Sequence, residues 1–397
     1  MRLALVLVLL VCSGLAFTDE MGCVGPERSP CPAPLLGPES PNLNWESRQP
    51  MPAARRSMAA AEAGGLVYQV GGFTSARVAT NEVFDPAANT WQTLAPMPTA
   101  RNACAGASVN GKVYVVGGFD GVSRLTTVEE YDPVADTWHT CPPMIWGRTV
   151  PAAVGLGGKL YCIAGFDGVN YPTTVERYDP AAGVWDTVAP MPTGRAGPAA
   201  AVLGGKIYVM GGWIGDEPVL STVERYDPDS NTWATLPVLG MGRMYLSAAA
   251  LGGYVFAIGG QLTFNGPQTD AVEAYDTTAG QWAFSTPMLV ARGSLGVAAT
   301  TDAIYAAGGW TGSGALDQND RAQLASALAD RPQAPVPGKE ITMMTGVAFN
   351  RWLAAPGNAA AVVYGPSGRR LPSAPAGGGV CYVLAPGRPA RKIVIAR

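Results

Sequence analysis

One motif returns along this chain at a nearly constant interval, and few folds accommodate that. Its clearest copy runs from Arg101 through Gly117-Gly118 and Tyr131-Asp132 to Trp138. Double-glycine sites begin at Gly71, Gly117, Gly211, Gly259 and Gly308, with Ala164-Gly165 as a variant. An aromatic-aspartate step recurs at Phe84-Asp85, Tyr131-Asp132, Tyr178-Asp179, Tyr226-Asp227 and Tyr275-Asp276. Tryptophans stand at 45, 91, 138, 185, 233 and 282, so the period is 46 to 49 residues. Such a period signals a propeller or a solenoid.

The spacing inside each repeat says which parts are rigid. Trp to the next Arg is always 10 residues, Arg to the double-glycine site always 16, and Asp to Trp always 6. Only the stretch from the glycines to the aromatic before Asp varies, from 13 residues (Gly71 to Phe84) to 16 (Gly259 to Tyr275). Loops tolerate insertion and packed strands do not, so this stretch is a variable loop between the second and third strands.

These residues resemble the kelch repeat, over about residues 41 to 310. Kelch repeats are four-stranded blades, so the resemblance implies a six-bladed β-propeller. The local chemistry agrees. First strands are small (Ala103, Ala105, Ala107; Ala199, Ala200, Ala201), as an innermost strand must be where blades converge. Second strands are apolar, as in Lys206-Ile207-Tyr208-Val209-Met210, and third strands alternate, as in Val175-Glu176-Arg177-Tyr178. Asp179-Pro180-Ala181-Ala182-Gly183 is turn chemistry. Fully burying an indole removes about 150–250 Å² from water, roughly 4–6 kcal/mol at most, so the tryptophans are assigned to packing between blades.

The first and last repeats are complementary fragments. Trp45 and Arg55 end a repeat that has no beginning, and Arg292 to Trp310 begins one that lacks Tyr-Asp and Trp. The strand carrying Trp45 is therefore expected to complete the blade begun at Arg292, removing two open sheet edges. That blade's third strand is not recognisable, and residues 322–328 read as helix-like.

Residues 1–17 read as a secretory signal: Arg2, an apolar run from Leu3 to Val11, then small residues at Gly14-Leu15-Ala16. The run is too short to span a membrane, and no transmembrane segment is expected elsewhere. Residues 18–40 form a Pro-rich leader in which Cys23 and Cys31 can close a short loop in an oxidising compartment. Cys104, Cys141, Cys162 and Cys381 lack metal-ligand spacing and read as small buried hydrophobes.

Residues 41–330 are assigned to the propeller, 331–337 to a Pro-rich linker and 338–397 to a small β-sandwich-like domain. Charge supports the division: −11 over residues 1–330 against +8 over 331–397. An acidic body argues against a nucleic-acid partner. The C-terminal segment is similar to the sorting domain of bacterial type IX secretion cargo. Tyr364, Gly368, Arg369, Arg370, Gly379, Val380, Tyr382 and Lys392 carry the match, while Cys381 and the lack of an early Asn-Pro depart from it. The resemblance implies a partner in the secretion machinery and a secreted product, extracellular or on the outer-membrane surface of a bacterium.

Catalytic constellations are scarce. The single histidine, His139, sits beside Trp138 on an outer strand and reads as a surface residue. No phosphate-binding loop, dinucleotide fingerprint or metal motif appears, and no cofactor, metal or catalytic residue is assigned. The sharpest polar feature is Arg55, Arg101, Arg148, Arg195, Arg243 and Arg292. In an antiparallel blade these share a face with the variable loops, which carry Phe73, Phe119, Phe166, Trp213 and Trp310 just after the glycines, with Gln261 as the exception. These eleven residues are the candidate ligand-binding set, for a protein or glycan ligand. In eukaryotic kelch adaptors that look like this, the matching arginines contribute to acidic-peptide binding. A second reading stays open: Glu82, Glu129, Glu176, Glu224 and Glu273 lie near the same face, and each can pair with an arginine inside the scaffold. The expected product is an all-β, six-bladed, monomeric, non-enzymatic binding protein. The alternative is a kelch-type carbohydrate-active enzyme, such as a sialic-acid mutarotase.

Overall fold

The computed structural model describes residues 41–215 and 218–325, together with five strands nearer the C-terminus. Strand β1 (Leu43–Ser47) comes first. Blade 1 follows as β2 (Ala59–Ala63), β3 (Leu66–Val70), β4 (Asn81–Asp85) and β5 (Thr90–Leu94). Four further blades repeat it: β6–β9 between Ala105 and Cys141, β10–β13 between Ala152 and Val188, β14–β17 between Ala199 and Leu236, and β18–β21 between Ser247 and Ser285. Blade 6 has β22 (Gly296–Ala299), β23 (Ile304–Ala307) and β24 (Asn319–Leu324). Every blade is an antiparallel four-stranded sheet, and the inner strands β2, β6, β10, β14, β18 and β22 neighbour one another in a closed circle.

The ring closes as the two half-repeats imply. β1 pairs with β24 in antiparallel register, Trp45 opposite Ala322, giving blade 6 the order β1-β24-β23-β22. The helix-like reading of 322–328 is corrected in part: Ala322 to Leu324 continue strand β24, and 326–328 lie outside the described residues. Local helix preference loses because Ala322 pairs on both sides, with β23 and β1, and Gln323 and Leu324 continue the pairing with β1. The missing third strand is thus present without its Tyr-Asp mark, and Ala322 fills the register position where the other blades place an aromatic.

The core lies between blades. Alternate residues of an inner strand are buried, as at Ala59, Ala61 and Ala63, and these pack with Val113, Val115 and Tyr131 of blade 2. Aromatics on neighbouring blades meet in tilted pairs, Tyr68 with Tyr131 at 6.0 Å and Tyr208 with Tyr275 at 6.0 Å. The outer-strand tryptophans are half-buried, so each gains only part of the full transfer energy. They add a directional bond across the blade boundary. Trp91, Trp138, Trp185 and Trp233 each donate from Nε1 to a carbonyl of the preceding blade's outer segment at 2.8 Å (Gln49, Ala95, Pro142 and Ala189). Trp282 reaches Pro237 at 2.9 Å and Trp45 reaches Thr286 at 3.1 Å, so closure uses the same bond as every other boundary.

Further along, β25 (Ile341–Thr345), β26 (Val362–Tyr364), β27 (Arg370–Leu371), β28 (Gly379–Leu384) and β29 (Arg391–Ala396) form one mixed sheet ordered β25-β29-β28-β26-β27. No second layer of a sandwich occurs among the described residues. The signal, the leader with Cys23 and Cys31, and the linker lie outside them. Cys104, Cys141 and Cys162 are buried and unbridged. Among the described residues no helix is long and apolar enough to cross a membrane.

Closure through β1 is testable by removing residues 18–49. The shortened chain should expose the edge of β24, melt at a clearly lower temperature and self-associate with rising concentration in light scattering. A shortened chain as stable and monomeric as the parent would remove closure as a source of stability.

Candidate functional site

The arginine that opens each repeat lies inside the fold. Arg55, Arg101, Arg148, Arg195, Arg243 and Arg292 are at most 1% exposed. Each pairs with the second residue of its own blade's third strand: Arg55 with Glu82 at 2.6 Å, Arg101 with Glu129 at 3.0 Å, Arg148 with Glu176 at 2.5 Å, Arg195 with Glu224, and Arg243 with Glu273 at 2.7 Å. In blade 6 Asp320 replaces the glutamate, 2.9 Å from Arg292. Burial pushes the guanidiniums of Arg55, Arg101, Arg195, Arg243 and Arg292 below the ordinary arginine value, against the raising effect of nearby anions. Arginine titrates so high that they stay charged.

The double-glycine site is the other half of this device. The second glycine donates to the carbonyl of the next blade's arginine: Gly72 to Arg101, Gly118 to Arg148, and round to Gly309 with Arg55. Both glycines of the Gly71-Gly72 pair have positive φ, and a Cβ on Gly71 would stand 2.7 Å from the Arg101 carbonyl. Each arginine thus joins two blades, by its carbonyl to one and its guanidinium to the other. The expectation that these six side chains face a ligand is corrected, because carboxylates and carbonyls of the scaffold already surround them.

The first residue after each arginine is partly exposed in blades 1 to 3 (Arg56, Asn102, Thr149), whereas Ala196, Met244 and Gly293 of blades 4 to 6 are buried. It bridges the aromatic after the glycines, as Arg56 does Phe73, Asn102 does Phe119, Thr149 does Phe166, and Gly293 does Trp310. The second lies in the left-handed region: Ser57, Ala103, Val150, Gly197, Tyr245 and Ser294, with φ from 47° to 55°. Their backbones close a circle. Ala103 donates to Ser57, Val150 to Ala103, Gly197 to Val150, Tyr245 to Gly197, Ser294 to Tyr245 and Ser57 to Ser294, at 2.7–3.1 Å. Val150, β-branched at φ 47°, carries real backbone strain here.

This circle divides the axial opening. Below it lies a cavity of about 150 Å³ among inner-strand alanines. Above it opens a mouth of about 710 Å³. Of the predicted aromatics, Phe73, Phe166, Trp213 and Trp310 line the mouth, as does Gln261. Phe119 stands beside it under the guanidinium of Arg77, 4.7 Å from the ring centre. Sequence reasoning missed Arg56, Arg77 and Tyr245, which also line the mouth, and the neighbouring Arg124 and Tyr171. Tyr245 had a readable signal: it is the one bulky aromatic where the other repeats carry Ser, Ala, Val or Gly. Burial raises its hydroxyl pKa, and the charge of Arg56 opposes that rise. His139 is exposed on an outer strand, in register with Glu130. Among the described residues no group of three or more His, Cys, Asp and Glu is placed to hold a metal ion.

The Kelch motif family model matches residues 54–98, 100–145, 148–192, 194–237 and 242–289, more than half of the 397-residue chain. The chain belongs to the kelch-repeat family. The five matches are blades 1 to 5 of this kelch propeller, and the split blade 6 completes the ring. A solved structure described as "Structure of YjhT" superposes with a TM-score of 0.61 at 19% identity, covering 68% of this chain and 95% of its own. That likeness is one of fold. No curated protein matches the chain.

Removing one buried guanidinium strands a buried carboxylate. Arg195→Ala should therefore lower unfolding free energy by about 3–5 kcal/mol in chemical denaturation. The double variant Arg195→Leu with Glu224→Leu should recover most of that loss. An Arg195→Ala protein of parental stability would refute the scaffold role.

Proposed function

We propose that this kelch propeller is a non-enzymatic binding protein of the cell exterior that holds a protein or glycan segment in its mouth. The observation that carries this reading is the composition of that mouth. Its volume falls within the range of about 300–1,000 Å³ usual for ligand sites. Its described lining combines aromatic rings, two arginines, amides and hydroxyls. Such groups stack on a ring, hold an anion or fix a peptide backbone by hydrogen bonds. No histidine or carboxylate occurs in that lining among the described residues, which favours holding a ligand over acid–base turnover.

The cell-exterior part of the proposal rests on the two ends of the sequence. An apolar run after Arg2 suits export, and the Tyr364 to Lys392 motif resembles a second exporter's tag. The charge contrast of −11 against +8 suits a C-terminal module with its own task.

Two experiments test these parts separately. Glycan and peptide arrays probed with the full chain should yield a ligand whose binding falls at least about tenfold, some 1.4 kcal/mol, in Arg77→Ala and Trp310→Ala, with melting temperatures little changed. A ligand bound equally by both variants would place binding elsewhere. In a host with the matching exporter, the full chain should reach the surface or medium, and a chain ending at Asp330 should stay in the periplasm. Equal release of both would end the sorting assignment.

A further inference from the structure

The mouth is not uniform around its rim. On blades 6, 1 and 2 aromatic rings alternate with arginines. The guanidinium of Arg56 lies 4.3 Å from the Trp310 ring centre and 5.3 Å from that of Phe73. Arg77 lies 5.8 Å from Phe73 and 4.7 Å from Phe119. A guanidinium on a ring face keeps its in-plane N–H edge for a planar or tetrahedral oxyanion. Among the described residues neither Arg56 nor Arg77 has a carboxylate at ion-pair distance, whereas each of the six buried arginines has one. Asp120 is the carboxylate whose charge is felt with Arg77, and its Oδ1 already accepts from the amides of Val122 and Ser123.

On blades 3 to 5 the rim is a cluster of rings, and only its first ring, Phe166, carries a guanidinium, that of Arg124 at 5.0 Å. Phe166 lies 5.1 Å from Tyr171, Tyr171 6.5 Å from Trp213, and Trp213 4.8 Å from Tyr245. The last two contacts are inclined at 73° and 51°, so the cluster offers both edges and faces, as an inserted aromatic ring requires. Tyr245 borders both the mouth and the deeper cavity, at the floor of the opening. Arg56 of the first arc and Tyr245 of the second line the same mouth.

The geometry points to a ligand that spans both arcs: an aromatic ring bearing an oxyanion, with the anion on Arg56 and Arg77 and the ring against Trp213 and Tyr245. A bare anion would leave the aromatic arc uncovered. A neutral ring would leave the guanidiniums of Arg56 and Arg77 without an ion-pair partner. This inference rests on the proposed binding role of the mouth and specifies its chemistry. The oxyanion-bearing ring can belong to a free small molecule or to an aromatic residue of a protein.

Calorimetry with the full chain tests it, using phenyl phosphate, phenol, inorganic phosphate and a short phosphotyrosine peptide as probes. Phenyl phosphate should bind at least tenfold more tightly than phenol or inorganic phosphate, and more weakly as salt rises. Arg77→Ala should lower its affinity at least tenfold and leave phenol unchanged. Trp213→Leu should weaken phenyl phosphate and leave inorganic phosphate unchanged. A phosphotyrosine peptide that binds more tightly than phenyl phosphate assigns the ligand to a protein. One that is excluded assigns it to a free molecule. Either ordering keeps the class. Phenol or inorganic phosphate binding as tightly as phenyl phosphate overturns the proposal, and so does absence of phenyl phosphate binding at millimolar concentration. If those probes fail while an array ligand still depends on Arg77 and Trp310, the two-arc chemistry falls and the mouth stands as the site. If the array ligand ignores both residues, the site itself falls.

Discussion

A buried guanidinium sets the terms for this propeller. A charge taken out of water costs several kcal/mol unless an opposite charge and hydrogen bonds meet it. Each blade meets its arginine with a carboxylate on the third strand, and several add carbonyls near the double-glycine site: Arg195 Nη1 donates to Gly211 at 3.1 Å and Thr222 at 2.9 Å. The carboxylates bind a second group in turn. Glu129 and Glu224 accept from Thr99 and Thr193, each at 2.8 Å, and Glu273 accepts from the Gly240 amide at 2.6 Å. These donors stand in the turn that leads into the same arginine. One ionic contact therefore fixes the entry turn and the second and third strands, and the arginine carbonyl ties that assembly to the preceding blade's glycine.

That arrangement decides where function can reside. The arginines have scaffold partners, so what can differ between blades on this face is left to the residues just after them and to the loops of variable length. The chain rises through the arginine to the bridged residue and then into a circle of six left-handed backbones. The scaffold dictates this path, but only its direction, not which side chain stands on it. At the bridged position the polar Arg56, Asn102 and Thr149 in blades 1 to 3 give way to Ala196, Met244 and Gly293 in blades 4 to 6. At the circle five positions are small or branched, and Tyr245 alone projects a ring.

What was legible in the sequence follows from what is local. The period, the small inner strands, the Trp45 closure and the variable loop are properties of short segments, and short segments carry their own pattern. The glutamate partners were also visible, because a carboxylate recurs at a fixed place on the third strand. Burial was not, since the same spacing serves an exposed arginine ring or an internal set of ion pairs. The third strand of blade 6 escaped notice because its marks are replaced: Asp320 stands where a glutamate was sought, Ala322 where an aromatic was sought. Arg56 escaped because it does not recur, and Arg77 because it recurs only once, as Arg124, inside the loop whose length varies. A residue present in only one or two blades leaves no period, so a search for repetition finds the scaffold and overlooks what differs between blades.

The buried layer carries the same asymmetry as the rim above it. In blades 3 to 5 the Nη1 atoms of Arg148, Arg195 and Arg243 donate to the carbonyls of Ala164, Gly211 and Gly259, and to those of Thr174, Thr222 and Ala271. In blades 1, 2 and 6 the Nη1 atoms of Arg55, Arg101 and Arg292 meet no acceptor in the protein. These are the blades whose rim carries Arg56 and Arg77 between Trp310, Phe73 and Phe119. The free Nη1 donors and the partly buried Arg56 and Arg77 therefore lie on the same side of the ring, while the aromatic cluster occupies the other. An arrangement built from near-identical repeats is thus asymmetric across its axis, in the buried layer as well as at the rim.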